Sequence, residues 1–150
     1  MAESDKSYGF SHRGTDNQLF VFEAAIDLLS FIQLFPKDWK KRCYLSLGGV
    51  SSMALMAFLS ERPQITSVFL CLDNDQAGNE ACEKLAGEIS EGYSVIRLKP
   101  SRKDWNEILC DRIIRYLTEN RGIEKDLVEK WISSGDIYEE KKQGLSDLLL

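Results

Sequence analysis

The chain is poor in the residues that most catalytic and metal centres draw on. It has one histidine, His12, in 150 residues. A single histidine cannot by itself build a Ser/His/Asp triad or a histidine-rich zinc site. The four cysteines, Cys43, Cys71, Cys82 and Cys110, lie far apart with no C-x-x-C pair. Three of them fall in apolar runs, and all four read as buried, reduced thiols of a cytoplasmic protein rather than as disulfides or zinc ligands. No apolar run approaches the ~20 residues needed to cross a bilayer, so no membrane partner is expected. The opening segment Met1-Ala2-Glu3-Ser4-Asp5-Lys6 has no apolar core and does not read as a secretion signal. Positive charge is also in deficit. The net charge is -5, which excludes a protein that coats nucleic acid by bulk charge alone. Residues 119–150 carry eight acidic and five basic side chains, so about three of the five net negatives sit there.

What remains is an ordinary globular composition, 43% hydrophobic and 29% charged, in a chain long enough to bury a core. Strand-like and helix-like segments alternate along it. Leu19-Phe20-Val21-Phe22 is a short continuous apolar run, as in a strand covered on both faces. A helix is expected from Ala24 to Phe35, closed by Pro36. Cys43 to Leu47 predicts a second strand, ended by Gly48-Gly49. A helix over Met53 to Arg62 follows, capped by Ser51 or Ser52 and stopped by Pro63. Ser67 to Leu72 predicts a third strand, Gln76 to Ile89 a helix, Tyr93 to Leu98 a fourth strand ended by Pro100, and Trp105 to Thr118 a last core helix. The three prolines of the chain all punctuate elements. Such alternation predicts an α/β fold: a mostly parallel sheet with helices on both faces. Residues 1–18 read as a lead-in and 19–120 as the main domain. Residues 121–150 read as a C-terminal helical extension, in which Ile123, Leu127, Val128, Trp131 and Ile132 have helical spacing. Beyond Gly135, Ile137-Tyr138 suits a short strand and Leu145 to Leu150 an apolar stub.

Crossovers of one hand place the carboxyl ends of all parallel strands on one edge. The residues that leave those ends are Glu23, Gly48-Gly49, Asp73-Asn74-Asp75 and Lys99-Pro100-Ser101-Arg102-Lys103-Asp104. Acidic, glycine-rich and basic groups therefore converge on one rim. Asp73 and Asp75 are two apart in an extended segment and can face one point. Two crowded carboxylates repel unless a cation lies between them, and a hard divalent ion with oxygen ligands is the usual solution. That makes Mg²⁺ acting on a phosphate the leading chemistry, with Mn²⁺ as a substitute. Glu23 is either a carboxylate favoured by a helix dipole, or a metal ligand or proton shuttle beside the aspartates. Three close carboxylates raise at least one pKa into a range useful for acid/base work. Asp27, one helical turn on, reads as a supporting or capping group. Gly48-Gly49 permits close approach to a ligand. Lys103 can neutralise a phosphate, and Asp104 or Asn106 can hold a second metal or cap the next helix, while Trp105 reads as core. Lys37, Lys40, Lys41 and Arg42, and again Arg97, Lys99, Arg102 and Lys103, form basic clusters. These are either solvated loops or a track for a phosphate backbone beside the acidic site.

Other aspartate chemistries at strand ends fit less well. Haloacid-dehalogenase-like phosphatases carry Asp-x-Asp-x-Thr after the first strand, whereas here the pair follows the third strand and Ala77 stands in the threonine position. Receiver domains need an acidic pair where this chain has Glu23 alone. Nucleotide-binding folds need a glycine-rich first turn, and here that turn is Glu23-Ala24-Ala25.

Val21-Phe22-Glu23-Ala24-Ala25-Ile26-Asp27, Ser46-Leu47-Gly48-Gly49, Leu72-Asp73-Asn74-Asp75-Gln76-Ala77-Gly78 and Lys103-Asp104-Trp105-Asn106-Glu107, in this order, resemble the motifs of the Toprim domain. That module is shared by topoisomerases, DnaG-type primases, OLD-family nucleases and recombination proteins such as RecR. The resemblance is strongest to Toprim-like proteins that accompany a DUF3991 region on bacterial mobile elements, where Ser4 to Phe10 also resembles the preceding segment. It departs from the family in Ala24, often glycine, and in Gln76, commonly arginine in primases. The resemblance implies a Rossmann-like Toprim fold, with Asp73 and Asp75 coordinating Mg²⁺ and Glu23 acting as ligand or general acid/base. Asp27, Gly48, Gly49, Lys103, Asp104 and Asn106 would surround substrate or metal. It implies single-stranded DNA, nucleoside triphosphates and other replication or mobilisation proteins as partners. The activities it implies are primase-like transfer or strand nicking. A Toprim nuclease and a scaffold without turnover are the alternatives.

Overall fold

The computed structural model describes residues 9–49 and 52–134. The chain divides into two compact units, Met1–Cys110 and Asp111–Leu150. The first holds a five-stranded sheet made of β1 (Ser11–His12), β2 (Gln18–Phe22), β3 (Cys43–Ser46), β4 (Ser67–Leu70) and β5 (Ser94–Arg97). The helices are α1 (Ala25–Leu34), α2 (Met53–Ser60), α3 (Gln76–Ile89), α4 (Trp105–Arg115) and α5 (Lys125–Ser134). The strand order is β1-β3-β2-β4-β5. β2 pairs in parallel with both β3 and β4, and β4 with β5, while β1 pairs antiparallel with β3. The fold is the expected α/β arrangement of a mostly parallel sheet between helices.

Alternation along the strands builds two different cores. Leu19, Val21, Cys43, Leu45, Val68 and Leu70 face α2 and α3, where they meet Leu55, Phe58, Leu59, Cys82, Leu85 and Ile89. Phe20, Phe22, Tyr44 and Cys71 face the other way, against Leu28 and Phe31 of α1 and Trp105 of α4. That second core is aromatic: Phe20 stacks on Phe69 at 4.6 Å, and Phe31 meets Trp105 edge-on at 4.9 Å. The Trp105 indole N–H donates to the Cys71 carbonyl at 2.9 Å, so its one polar atom is satisfied inside the core.

This packing positions the rim. The chain leaves β2 toward α1 on the aromatic face, and leaves β4 toward α3 on the aliphatic face. Neighbouring strands whose connections depart to opposite faces leave a crevice between their carboxyl ends, which is where open α/β sheets bind ligands. Glu23 follows β2 and Asp73 follows the β4 segment, so both stand at that crevice.

The observed boundaries differ from the sequence reading mainly at their ends. α1 begins at Ala25, with Ala24 in extended conformation and Glu23 outside the helix. α2 stops at Ser60, and Ser52 gives it no side-chain cap; Ser51 lies outside the described residues. α4 ends at Arg115 and passes into a π-helical turn, Tyr116–Asn120, where an α-helix to Thr118 was expected. His12, in the stretch read as a lead-in, belongs to β1, and its Nε2 lies 3.0 Å from the Lys40 carbonyl. Cys43, Cys71 and Cys82 are buried, but Cys110 is exposed. It stands about 140° around α4 from Trp105, the residue that faces the core.

In the second unit α5 packs against the π-helical turn, and Val128 is fully buried. Gly122 turns the chain between them with φ of +67°, and Ile123 N–H closes the turn on the Leu117 carbonyl at 3.1 Å. Ile137-Tyr138, Leu145 to Leu150 and Ser4 to Tyr8 lie outside the described residues. Among the described residues no helix is long and apolar enough to cross a membrane.

Candidate metal and phosphate site at the sheet rim

The β3 and β5 exits are stitched to the two acidic exits by main-chain hydrogen bonds. Gly49 N–H donates to the Glu23 carbonyl at 3.2 Å, tying the glycine pair to the β2 exit. Gly48 and Gly49 hold φ of +65° and +136°, conformations that side-chain-bearing residues rarely adopt. Asn74 N–H donates to the Lys103 carbonyl at 2.6 Å, and the Asn74 side chain donates to the Pro100 carbonyl at 3.2 Å. The loop after β5 is thereby fastened onto the Asp-x-Asp turn. The expected convergence on one rim is realised for Glu23, Gly49, Asp73, Asn74 and Lys103.

Each carboxylate at the rim has a distinct local task. Asp75 caps α3, its Oδ1 accepting from Gly78 N–H at 2.8 Å. Asp104 caps α4 by accepting from Glu107 N–H at 2.7 Å, and Glu107 reaches back to Lys103 N–H at 2.9 Å. That reciprocal pair is close to a capping box. Asp27 is buried, and its Oδ1 accepts from Asn106 N–H at 3.1 Å. Ser30 Oγ donates to Asn106 Oδ1 at 3.2 Å. Asp27, Asp104 and Asn106 therefore assemble the start of α4 upon α1.

Asp73 differs from the others. Its Oδ1 is buried and accepts no hydrogen bond from the described residues. Burial comes first among the causes that raise its pKa to about 6, followed by the charges of Asp27, Glu23, Asp104 and Asp75. Glu23 is also raised, first by burial and then by Asp75 and Asp27, with Lys103 acting in the opposite sense. Asp27 is raised by burial, against the helix N–H groups that lower it. The charges of Asp27, Asp75 and Asp104 therefore reach Asp73, and those of Asp27, Asp75 and Lys103 reach Glu23.

The basic clusters do not form one track beside the acids. Arg42 directly precedes β3, at the opposite end of the strands from the rim, and lies 5.5 Å over the Phe20 ring. Lys41 pairs with Asp38 at 2.9 Å. Arg97 turns inward, its guanidinium donating to main-chain carbonyls of the β4 exit. Lys103 is placed at the rim: its carbonyl accepts from Asn74 N–H and its charge reaches Glu23. A separate groove of about 570 Å³ on the aromatic face is lined by Phe20, Phe35, Lys37, Arg42, Leu98 and Trp105.

Among the described residues, no three His, Cys, Asp or Glu side chains stand close enough together to hold a metal ion. What a cation could answer is narrower: the Asp73 oxygen that has no hydrogen-bond donor among the described residues, with the Asp75 carboxylate two residues on. Mg²⁺ is commonly held in that way, by one or two carboxylates with water and substrate phosphate completing its shell.

A family model described as Toprim-like matches residues 20–109, well over half the chain. Among curated proteins, an uncharacterized protein of Mycoplasma pneumoniae is 32% identical over 112 residues, covering 72% of this chain and 50% of the relative. An uncharacterized protein of Bacillus anthracis is 28% identical over 132 residues, covering 75% of this chain and 37% of the relative. The chain thus spans half the length, or less, of these relatives. Among solved structures, the primase fragment of the bacteriophage T7 primase-helicase protein superposes with a TM-score of 0.52 at 24% identity, covering 71% of this chain and 44% of that one. A complex of bacteriophage T7 lagging-strand DNA polymerase with the primase domains of two gp4 subunits, an RNA/DNA hybrid and dTTP gives a TM-score of 0.52 at 23% identity, covering 71% of this chain and 53% of that one. At these identities the structural likeness establishes the fold.

Proposed function

This chain belongs to the Toprim-like family, and we propose that it is a Mg²⁺-dependent Toprim catalytic domain acting on DNA phosphodiesters, by primase-like nucleotidyl transfer or strand nicking, in the replication or mobilisation of a mobile element. The observation that carries the reading is the buried, unpartnered Oδ1 of Asp73 amid four other carboxylates. A buried acceptor left without a donor costs about 1–3 kcal/mol, and charge crowding adds to that cost. A bound cation would relieve both; Asp73 and Asp75 would hold it, with Glu23 as a further ligand or as general acid/base.

Bound there, Mg²⁺ or Mn²⁺ would neutralise charge on a phosphate during transfer or cleavage. The chain's own residues do the rest. Glu23, whose pKa is raised by burial and by neighbouring carboxylates, can take a proton from an attacking hydroxyl or deliver one to a leaving oxygen. Asp75 has one oxygen on the α3 cap and the other available to the rim. Lys103 orients phosphate next to Glu23. Gly48 and Gly49 leave the β3 exit without side chains, with open space where a Cβ would stand, so a nucleic-acid backbone can approach. Single-stranded DNA, with nucleoside triphosphates in the transfer reading, is the proposed substrate. Other replication or mobilisation proteins are proposed partners, and the proposal includes a cytoplasmic location.

Glu23→Gln tests the enzymatic reading. Incubation of single-stranded DNA with Mg²⁺ should give products with the wild type and none with the variant, while both bind the DNA equally. Extension that requires nucleoside triphosphates identifies transfer, and cleavage without them identifies a nuclease. The scaffold reading is favoured by the lack, among the described residues, of a tight three-ligand group. It replaces the enzymatic one if wild type binds DNA but yields no product under either condition.

A further inference from the structure

Resting on the reading of the rim as a divalent-cation site, we infer that Arg97 is its positioning residue: its guanidinium holds the main chain of Leu72 and Asp73 and so determines where the Asp73 and Asp75 carboxylates stand. Arg97 ends β5, an edge strand, opposite Leu70 in register. An arginine at the end of an edge strand ordinarily extends into water. This one folds under the β4 exit. Nη1 donates to the Leu70 carbonyl at 3.1 Å and to the Leu72 carbonyl at 2.8 Å. Nη2 donates to the Asp73 carbonyl at 2.9 Å and lies 3.5 Å from Asn79 Oδ1 on α3.

The need for such a group follows from the ladder. Leu98 N–H donates to the Leu70 carbonyl at 2.9 Å, beyond the last paired residues of β4 and β5. The carbonyls of Leu72 and Asp73 lie beyond that point, and Leu72 is fully buried. Buried carbonyls require donors. A planar fork with five N–H groups can serve three carbonyls on one curving segment, whereas an ammonium offers its donors from a single point. From the other side α3 closes in at Gly78, where a Cβ would collide with the Asp73 carbonyl oxygen. The Asp73 carbonyl is thus held between Arg97 and the α3 backbone, leaving its carboxylate to face the crowded acids. These hydrogen bonds of Arg97 go to main-chain carbonyls and one amide oxygen, so it acts on the acidic turn through its backbone.

The test compares wild type, Arg97→Met, Arg97→Lys and, as a neighbouring control, Ile96→Ala. Two properties are read. The first is amide hydrogen exchange in the metal-free protein at Asn74 and Gly78, whose N–H groups bond within the rim, against Val21 in the central strand. The second is Mn²⁺ affinity by electron paramagnetic resonance. Arg97→Met should speed exchange at Asn74 and Gly78 at least ~10-fold relative to Val21 and weaken Mn²⁺ about 10- to 100-fold, the range found when groups that orient metal ligands are removed. Arg97→Lys should weaken Mn²⁺ by a smaller factor, and Ile96→Ala should change neither. A folded Arg97→Met with wild-type exchange and wild-type Mn²⁺ affinity overturns the inference. If that variant does not fold, wild-type Mn²⁺ affinity in Arg97→Lys overturns the need for the fork. Wild type that binds no Mn²⁺ refutes the rim reading by itself, and the exchange comparison then still decides whether Arg97 fixes the turn.

Discussion

The β4 exit and the start of α4 each gather two carboxylates, yet they use them in opposite ways. At the α4 start, Asp27 and Asp104 both accept helix N–H groups, from Asn106 and Glu107. Their charge is met by the positive end of the helix. At the β4 exit, Asp75 caps α3 with one oxygen, and Asp73 keeps a buried oxygen with no donor among the described residues. The difference teaches that unsatisfied acceptor capacity, rather than the number of acids, marks the candidate site. The α4 carboxylates build the wall, and the β4 carboxylates are the ones left for a ligand in the proposed reading.

Four substitutions can break or sharpen that contrast. Asp27→Ala should have the largest effect on stability, a loss of about 2 kcal/mol in urea unfolding, because it strips a buried acceptor from the Asn106 N–H. Asp27→Asn keeps an acceptor and should lose less; equal losses would mean that charge and not the hydrogen bond anchors α4. Asp104→Ala should cost about 1 kcal/mol, the usual value of an N-cap.

Asp73→Asn should do the reverse and stabilise the metal-free protein at pH 7, by under about 1 kcal/mol for a partly exposed group. The sign follows from its raised pKa. A carboxyl that binds its proton more tightly when folded penalises folding once ionised. The penalty is absent below the ordinary value of 3.8, grows between there and about 6, and is complete above it. The advantage of Asp73→Asn should therefore fade as pH falls from 7 to 4 in parallel thermal melts. An advantage that grows on acidification would contradict the placement of Asp73 among like charges.

Much of this arrangement is readable in the chain, for identifiable reasons. The β2 run Leu19–Phe22 is apolar at every position because the strand is covered on both faces, and α3 starts where Asp75 caps it. Glu23 and Asp73 could be assigned to one rim because crossovers of a single hand leave few alternatives. The two-residue β1 has no periodicity to read, since its pairing comes from β3. Arg97 resembles its basic neighbours Lys99 and Arg102 in sequence, and only the end of the β4–β5 ladder shows that it turns inward. The roles of Asp27 and Asp104 as anchors of α4 depend on a contact across 79 residues in one case and a local cap in the other. Of these, only the local cap has a sequence signature, the Asp104-x-x-Glu107 spacing.

The most direct test is calorimetric titration of Mg²⁺ and Mn²⁺ into the wild-type chain and into Asp73→Asn/Asp75→Asn at pH 7, with and without single-stranded DNA. The account predicts that wild type binds the ions, more weakly at pH 5 as Asp73 takes up its proton, and that the double variant does not. Wild type that binds neither ion even with DNA present, or a double variant that binds them as well as wild type, would contradict it.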